Sequence, residues 1–405
     1  MNFELDEGQR ALQDSVARLL AEQHGLERYR AGAASEAGFC IEIDEQLVRM
    51  GLPAMLVPEA YGGIGGTPGD LLVVMRECGG ALLASPLLTC SVLPGVVLAQ
   101  ARSEDLRERW LPALAAGEAR IAWAHEEPDS DLEGRWLATR ARRVGEGWRL
   151  SGRKPNVLFG AIADHLLVSA RVSGEDGEAA GLALFLVAAG AVGASCRPHR
   201  LVDDTPAAEW TFTEAPATIM TEVSGPAGLP ALRDAIAVGT AALCADMVGA
   251  MEAAVKLTIE YLNLRKQFGR VIGANQALRH RVAEMQVSLE LAGSLAIAAA
   301  VAAGRPDDHE AQCDLHRAKL LLGKYARNVC HAAIQLHGGI GMTQEYAVGH
   351  YLRRVHVRDQ LFGDEEAHAA GLDALLVDAA PPAAWRAADQ QSLTWPSLGK
   401  EELAS

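Results

Sequence analysis

Two short segments of this 405-residue chain carry most of its readable chemistry, Arg265-Lys-Gln-Phe-Gly269 and Gln335-Leu-His-Gly-Gly339. An arginine at a helix end beside Gln267 and Phe268 offers charge-assisted hydrogen bonds for a pyrophosphate and a flat face for an adenine. Alone, that arginine reads equally well as an ordinary surface residue. Gln335, next to Leu336 and followed by Gly338 and Gly339, offers a side-chain amide and a backbone that a ligand can approach closely, because glycine has no Cβ. Alone, the glycine pair is more often a helix C-cap. Only the two segments together point to a dinucleotide.

Other chemistries lack their residues. There is no His-Glu-x-x-His, no clustered Cys/His set and no Gly-x-Ser-x-Gly, so metal and serine-nucleophile enzymes have no support and no metal site is expected. Tyr61-Gly-Gly-Ile-Gly-Gly66 lacks the Gly-x-Gly-x-x-Gly spacing and follows no strand pattern, which makes it a loop between helices.

The elements that must position the two segments follow from periodicity. From Leu5 to about Gly117 the pattern is helical, with Leu12, Val16, Leu19 and Leu20 forming a stripe at steps of three and four. From about Arg120 to Thr221 it turns into short β-type runs, Gly147–Gly152, His165–Arg171, Leu182–Val187 and Ala208–Phe212, which suit a small barrel or sandwich. Long Ala/Leu-rich helices return at Ala235–Leu264, Gln276–Ala303 and Glu310–Leu336, as in an antiparallel bundle. The expected fold is therefore α+β, with an N-terminal helical domain over 1–119, a middle β domain over 120–225 and a C-terminal four-helix bundle over 226–378. An extended tail is expected over 379–405.

The stretch Tyr261-Leu-Asn-Leu-Arg-Lys-Gln-Phe-Gly-Arg-Val-Ile-Gly-Ala-Asn-Gln276 resembles the most recognisable segment of the acyl-CoA dehydrogenases, and Gln335-Leu-His-Gly-Gly-Ile-Gly-Met-Thr-Gln-Glu-Tyr346 followed by Arg353 resembles the second. With Leu361-Phe-Gly-Asp364, the likeness is strongest to the small subunits of heteromeric bacterial members such as those acting on pimeloyl-CoA. It covers roughly residues 1 to 378. It implies FAD as the dinucleotide, held through Arg265, Gln267, Phe268, Gln276, Gln335, Leu336, Gly338 and Gly339. It also implies α,β-dehydrogenation of an acyl-CoA thioester, with a carboxylate removing the α proton and electrons passing to an electron-transfer flavoprotein.

The chain departs from the resembled pattern where the chemistry should occur. The family's base position after the second motif falls on Phe362, and its alternative position in the first bundle helix falls on Gly239, so neither supplies a carboxylate. Asp364 is the nearest substitute, although its place before Glu-Glu-Ala-His suits a helix cap. The family's Thr-Glu-Pro becomes Glu126-Glu127-Pro128, and its Trp-Ile-Thr/Ser becomes Asn156-Val157-Leu158. In the resembled family each FAD lies across a subunit interface, its ring held by one subunit and its ADP half by the neighbour. The pattern here keeps the neighbour's half. It implies a heterotetramer with a second, base-bearing acyl-CoA dehydrogenase chain; the alternative is a self-sufficient homo-oligomer using Asp364.

Composition sets the outer bounds. A net charge of -15 without any Lys/Arg-rich run argues against nucleic acid and anionic membranes as partners. Seven scattered cysteines with no Cys-x-x-Cys pair point to buried thiols in a reducing compartment. The acidic N-terminus shows no signal-peptide pattern, and runs such as Leu295–Ala303 are too short to span a membrane, so a cytoplasmic enzyme is expected.

Overall fold

A computed structural model describes residues 5–128, 136–175, 178, 180–221 and 229–378, and the tail expected from 379 onward lies outside them. Six helices come first: α1 (Glu7–Gln23), α2 (Leu26–Ala34), α3 (Ile41–Arg49), α4 (Pro68–Gly80), α5 (Leu93–Leu98) and α6 (Glu104–Ala115). Helix α1 begins where Asp6 accepts the Gln9 N–H at 2.8 Å and the Gln9 side chain accepts the Asp6 N–H at 3.2 Å, satisfying two orphan donors reciprocally. Val16 and Leu20 of its apolar stripe are buried, while Leu12 and Leu19 are half-buried. The Tyr61–Gly66 segment is a loop that enters α4, itself started by a Thr67–Asp70 capping box.

Seven strands follow: β1 (Ile121–Ala124), β2 (Arg140–Val144), β3 (Gly147–Leu158), β4 (His165–Arg171), β5 (Leu182–Ala188), β6 (Ala194–Arg200) and β7 (Pro206–Ile219). Hydrogen-bonded neighbours run from β4 through β2, β3, β7 and β5 back to β4, with β1 added on β4 and β6 on β7. The pairing closes on itself, so the choice between barrel and sandwich resolves to a small barrel. Three strands escaped the sequence reading. β1 is four residues long and wholly buried, β2 is arginine-rich, and β6 is a mostly exposed edge strand containing Pro198.

The last layer is α7 (Leu229–Leu264), a two-stranded hairpin of β8 (Lys266–Gln267) and β9 (Arg270–Val271), then α8 (Gln276–Ala303), α9 (His309–His337), α10 (Val348–Gln360) and α11 (Glu365–Asp378). Helices α7, α8 and α9 pack on one another, while α10 packs on α7 and α9 and α11 on α9, so the short pair supplies the bundle's fourth helix. The N-terminal layer docks through α4 on α7. Glycines make that contact possible: a Cβ on Gly79 would lie 1.9 Å from the Asp246 carbonyl oxygen, and one on Gly249 would lie 1.8 Å from that of Arg76.

Two expectations need correction. Cys196 is exposed, whereas the other six thiols are buried. The length argument against membrane spans also fails, because the helices run on past the apolar runs: Pro230–Leu264 and Gln276–Ala303 are each long and apolar enough. The apolar window of the first is 89% buried inside the protein, which marks it as a core helix, but α8 leaves Val287, Leu291 and Val301 exposed.

Candidate cofactor and active site

The two sequence segments come together at one end of the bundle. Tyr261, in the last turn of α7, stacks on His337, in the last turn of α9, with centroids 4.6 Å apart, and Tyr346 closes the cluster at 5.0 Å from His337. Arg265 follows α7 directly and Gly338 follows α9, so this aromatic pin sets the spacing of the two motifs. Between Gln267 and Arg270 the chain reverses through Phe268 and Gly269, at φ +53° and +79°. Two successive positive φ values make the tight turn favoured by two-residue hairpins, at which a phenylalanine is strained. The Phe268 ring stands fully in solvent.

Arg265, Gln267, Gln276 and Gln335 are also exposed, and Cβ atoms built on Gly269, Gly338 and Gly339 would meet nothing within 4 Å. The surface is therefore an open cradle of one guanidinium, three amides, one aromatic face and bare backbone, which fits the ADP half of a dinucleotide. Leu336 is the exception: its side chain is buried, so only its backbone can take part.

At the place where the flavin ring and the base would be expected, the arrangement is the opposite. Phe362 sits in left-handed backbone at φ +55° and its ring covers Gly239; a Cβ built there would lie 2.9 Å from Cζ and 3.0 Å from Cε2. The two positions that could have carried a base thus touch each other, filled by a phenyl ring. The Phe362 loop is tied from several sides. Its N–H donates to Glu126 Oε1 at 3.3 Å, and its carbonyl is 3.0 Å from His368 Nε2. The buried Lys319 ammonium donates to the Asp359 and Gly363 carbonyls, both at 2.7 Å.

Burial pushes the Glu126 carboxyl up despite Lys319 and Lys154 nearby, and burial brings both of those lysines down to about 8. Lys154 donates to the His125 carbonyl and Glu127 Oε1 at 2.7 Å each, while Glu127 accepts the Ala138 and Thr139 N–H groups. That network fixes the strand end that presents Glu126. Around Phe362 the open space amounts to about 30 Å³ against Leu243 and Arg354, and about 10 Å³ against Trp123, Glu126, Asn156 and Leu158. That is room for about one or two waters, whereas organic ligands occupy pockets of about 300 Å³ or more. The residues present do not fit a flavin ring.

Asp364 caps α11, its Oδ1 accepting the Ala367 N–H at 2.9 Å, and the neighbouring Glu365 pairs with Arg327. The sequence reading missed Lys319 and His368 as the groups that anchor the Phe362 loop; no local spacing signals contacts between helices so far apart in the chain. It also missed His309, Glu310 and Cys313 at the start of α9, whose ligand atoms lie within 4.8 Å of one another.

The fold and this half-open, half-filled site define a class of protein with two helical layers around a small barrel and an open surface suited to a dinucleotide's ADP half. The family models "Acyl-CoA dehydrogenase, N-terminal domain" and "Acyl-CoA dehydrogenase, C-terminal domain" match residues 6–118 and 227–373. The acyl-CoA dehydrogenase FadE12 of Mycobacterium tuberculosis is 30% identical over 359 residues, covering 86% of this chain and 90% of its own. Among solved structures, the Tcur3481-Tcur3483 steroid ACAD superposes with a TM-score of 0.81 at 28% identity, over 92% of this chain and 98% of that one. The ChsE4-ChsE5 complex from Mycobacterium tuberculosis shares the fold, with a TM-score of 0.83 at 24% identity over 94% of this chain and 100% of that one. The chain belongs to the acyl-CoA dehydrogenase family, FAD-dependent oxidoreductases that act on CH–CH groups.

Proposed function

We propose that this chain is the base-lacking subunit of a heteromeric acyl-CoA dehydrogenase and completes the FAD site of a base-bearing partner chain. The observation that carries this is the Phe362 ring seated on Gly239, which removes both base positions and the room for a flavin ring at once. Asp364 offers no substitute, because its carboxylate is engaged at the start of α11. The open cradle of Arg265, Gln267, Phe268, Gln276, Gln335, Gly338 and Gly339 supports the second half of the reading. It faces solvent in the single chain, with an aromatic ring held outward at a conformational cost that a bound adenine would offset.

In the complex these residues bind and orient the ADP half across the interface. FAD supplies the hydride acceptor for the partner's acyl-CoA, and the electrons then leave through an electron-transfer flavoprotein. The exposed apolar flank of α8 suits a subunit contact. Two of the similar solved structures, the Tcur3481-Tcur3483 steroid ACAD and the ChsE4-ChsE5 complex, carry two-component names.

The test is to express the chain alone and with a base-bearing dehydrogenase chain, and to measure flavin per chain and flavin bleaching by acyl-CoA. The chain alone should retain little flavin and show no bleaching, and the complex should hold one FAD per pair of chains. Arg265→Ala should weaken FAD retention by the complex about tenfold or more, the worth of a charge-assisted hydrogen bond. Full flavinylation and acyl-CoA oxidation by the chain alone overturns the proposal.

A further inference from the structure

A cavity lies near the opposite end of α7 from Arg265, beside the loop that carries Phe362. It measures about 360 Å³ and is enclosed by the first turns of α7, the start of α9, the end of α8 and the face of α11. Thr240 in its lining, on α7, and Arg265, just past the end of that helix, are 25 residues apart, roughly 38 Å along a helix. Leu232, Ile236, Ala237, Ala302, Ala311, Leu315 and Leu375 make much of the wall aliphatic, and the imidazoles of His316 and His368 complete it.

The polar groups are few. Arg233 stands in the lining and pairs with Asp307 at 2.9 Å, both side chains partly or well exposed, so they form the mouth. Gln312 is spent on the Pro306 carbonyl at 2.7 Å. Deep inside, Thr240 is completely buried, and its Oγ1 has no hydrogen-bond partner. A helical threonine ordinarily bonds back to the carbonyl one turn earlier, as Thr258 of the same helix does to Ala254 at 2.7 Å.

An unmade buried hydrogen bond costs about 1–3 kcal/mol, so Thr240 stands ready for an acceptor or donor. Water is a poor occupant. The volume would take on the order of ten molecules, and they need two to four polar partners each, more than Arg233, Thr240, Gln312 and the two imidazoles can supply. We propose that the cavity is a binding site for a compact aliphatic molecule with one neutral hydrogen-bonding group, an alcohol or ketone, directed at Thr240 Oγ1. A carboxylate is disfavoured, because Arg233, the arginine of the lining, is paired with Asp307 at the mouth and burying an anion without a cation is costly.

The occupant would also sit against the loop that fills the site. Phe362 O can only accept, so His368 Nε2 carries the proton, and burial brings His368 down to about 2, leaving Nδ1 to accept from His316 Nδ1 at 3.0 Å. Both rings line the cavity, and Thr240 adjoins Gly239, on which Phe362 rests.

The experiment titrates the full-length chain with 1-octanol and with octanoate by saturation-transfer NMR, alongside Ala237→Leu, which fills the cavity, and Thr240→Val, which keeps the side-chain shape and deletes the hydroxyl. Saturable octanol binding is expected, lost in Ala237→Leu, weakened about two- to tenfold in Thr240→Val, and at least tenfold tighter than octanoate binding. Should Ala237→Leu fail to fold, Thr240→Val decides alone. Absence of saturable binding, binding indifferent to Thr240→Val, or octanoate binding as tightly as octanol overturns the proposal.

Discussion

Phe362 and Gly239 form a matched pair. The glycine has no other evident reason to sit inside α7, where it costs about 1 kcal/mol relative to alanine, and the phenylalanine adopts a left-handed backbone that side chains disfavour. Each makes sense only with the other. Gly239→Ala therefore places a methyl group 2.9 Å from the Phe362 ring, and overpacking of this kind costs about 1–3 kcal/mol despite the gain in helix propensity. Phe362→Leu in the same background should recover most of that loss. Urea denaturation of the two single variants and the double variant measures the coupling; strict additivity of the two would refute the direct contact.

Elements are joined here by buried charge as much as by apolar packing. Asp246 on α7 accepts from Arg354 on α10 at 2.7 and 2.5 Å, with Arg358 at 3.5 Å, and Arg358 reaches Asp203 between β6 and β7 at 3.3 Å. All four side chains are buried, so removing the shared anion leaves Arg354 uncompensated and Arg358 with Asp203 alone. Asp246→Ala should cost about 3–5 kcal/mol in chemical denaturation, while Asp246→Leu combined with Arg354→Met should cost much less, because removing both partners also removes the desolvation penalty.

The contrast bears on what the sequence could say. Element order and the three long bundle helices were legible because periodicity is local. The exposed surface at the end of the bundle could be anticipated because Arg265–Gly269 and Gln335–Gly339 are contiguous runs with their own geometry. The hairpin turn at Phe268, the closure of the barrel and the Asp246 network were not, since each depends on backbone conformation or on partners distant in sequence. That neither Phe362 nor Gly239 carries a carboxylate could be read separately from the sequence. That one ring fills both positions needed coordinates.

Across the described residues, three of the five buried histidines are held furthest below the ordinary imidazole value, and each of the three faces cations. His24 lies by Arg354 and Arg28, His125 by Lys154, and His368 by Lys319 and His316. Burial first, and these charges second, hold them down to about 4, 3 and 2, against 6.5 for a free imidazole. A lowered folded pKa means the unfolded chain takes up protons that the folded chain refuses. Their stabilising contribution is therefore complete above about pH 6.5 and is lost as pH falls toward the folded values. Each contributes a slope of about 1.4 kcal/mol per pH unit, or about 4 kcal/mol per unit for the three between roughly pH 6 and 4. Glu126, Asp44 and Asp234 run the other way, since burial raises them and the folded state then binds protons more readily, which softens the slope. With a total stability on the order of 5–15 kcal/mol, unfolding should set in cooperatively between about pH 5 and 4. His368→Gln keeps an amide donor for the Phe362 carbonyl and removes one titrating ring. Its stability should therefore vary less steeply over pH 6 to 4, by about 1.4 kcal/mol per unit, in urea titrations at a series of pH values. An unchanged slope would mean that His368 titrates in the folded protein as it does in the unfolded one, and the buried, neutral imidazole bonded to Phe362 would have to be given up.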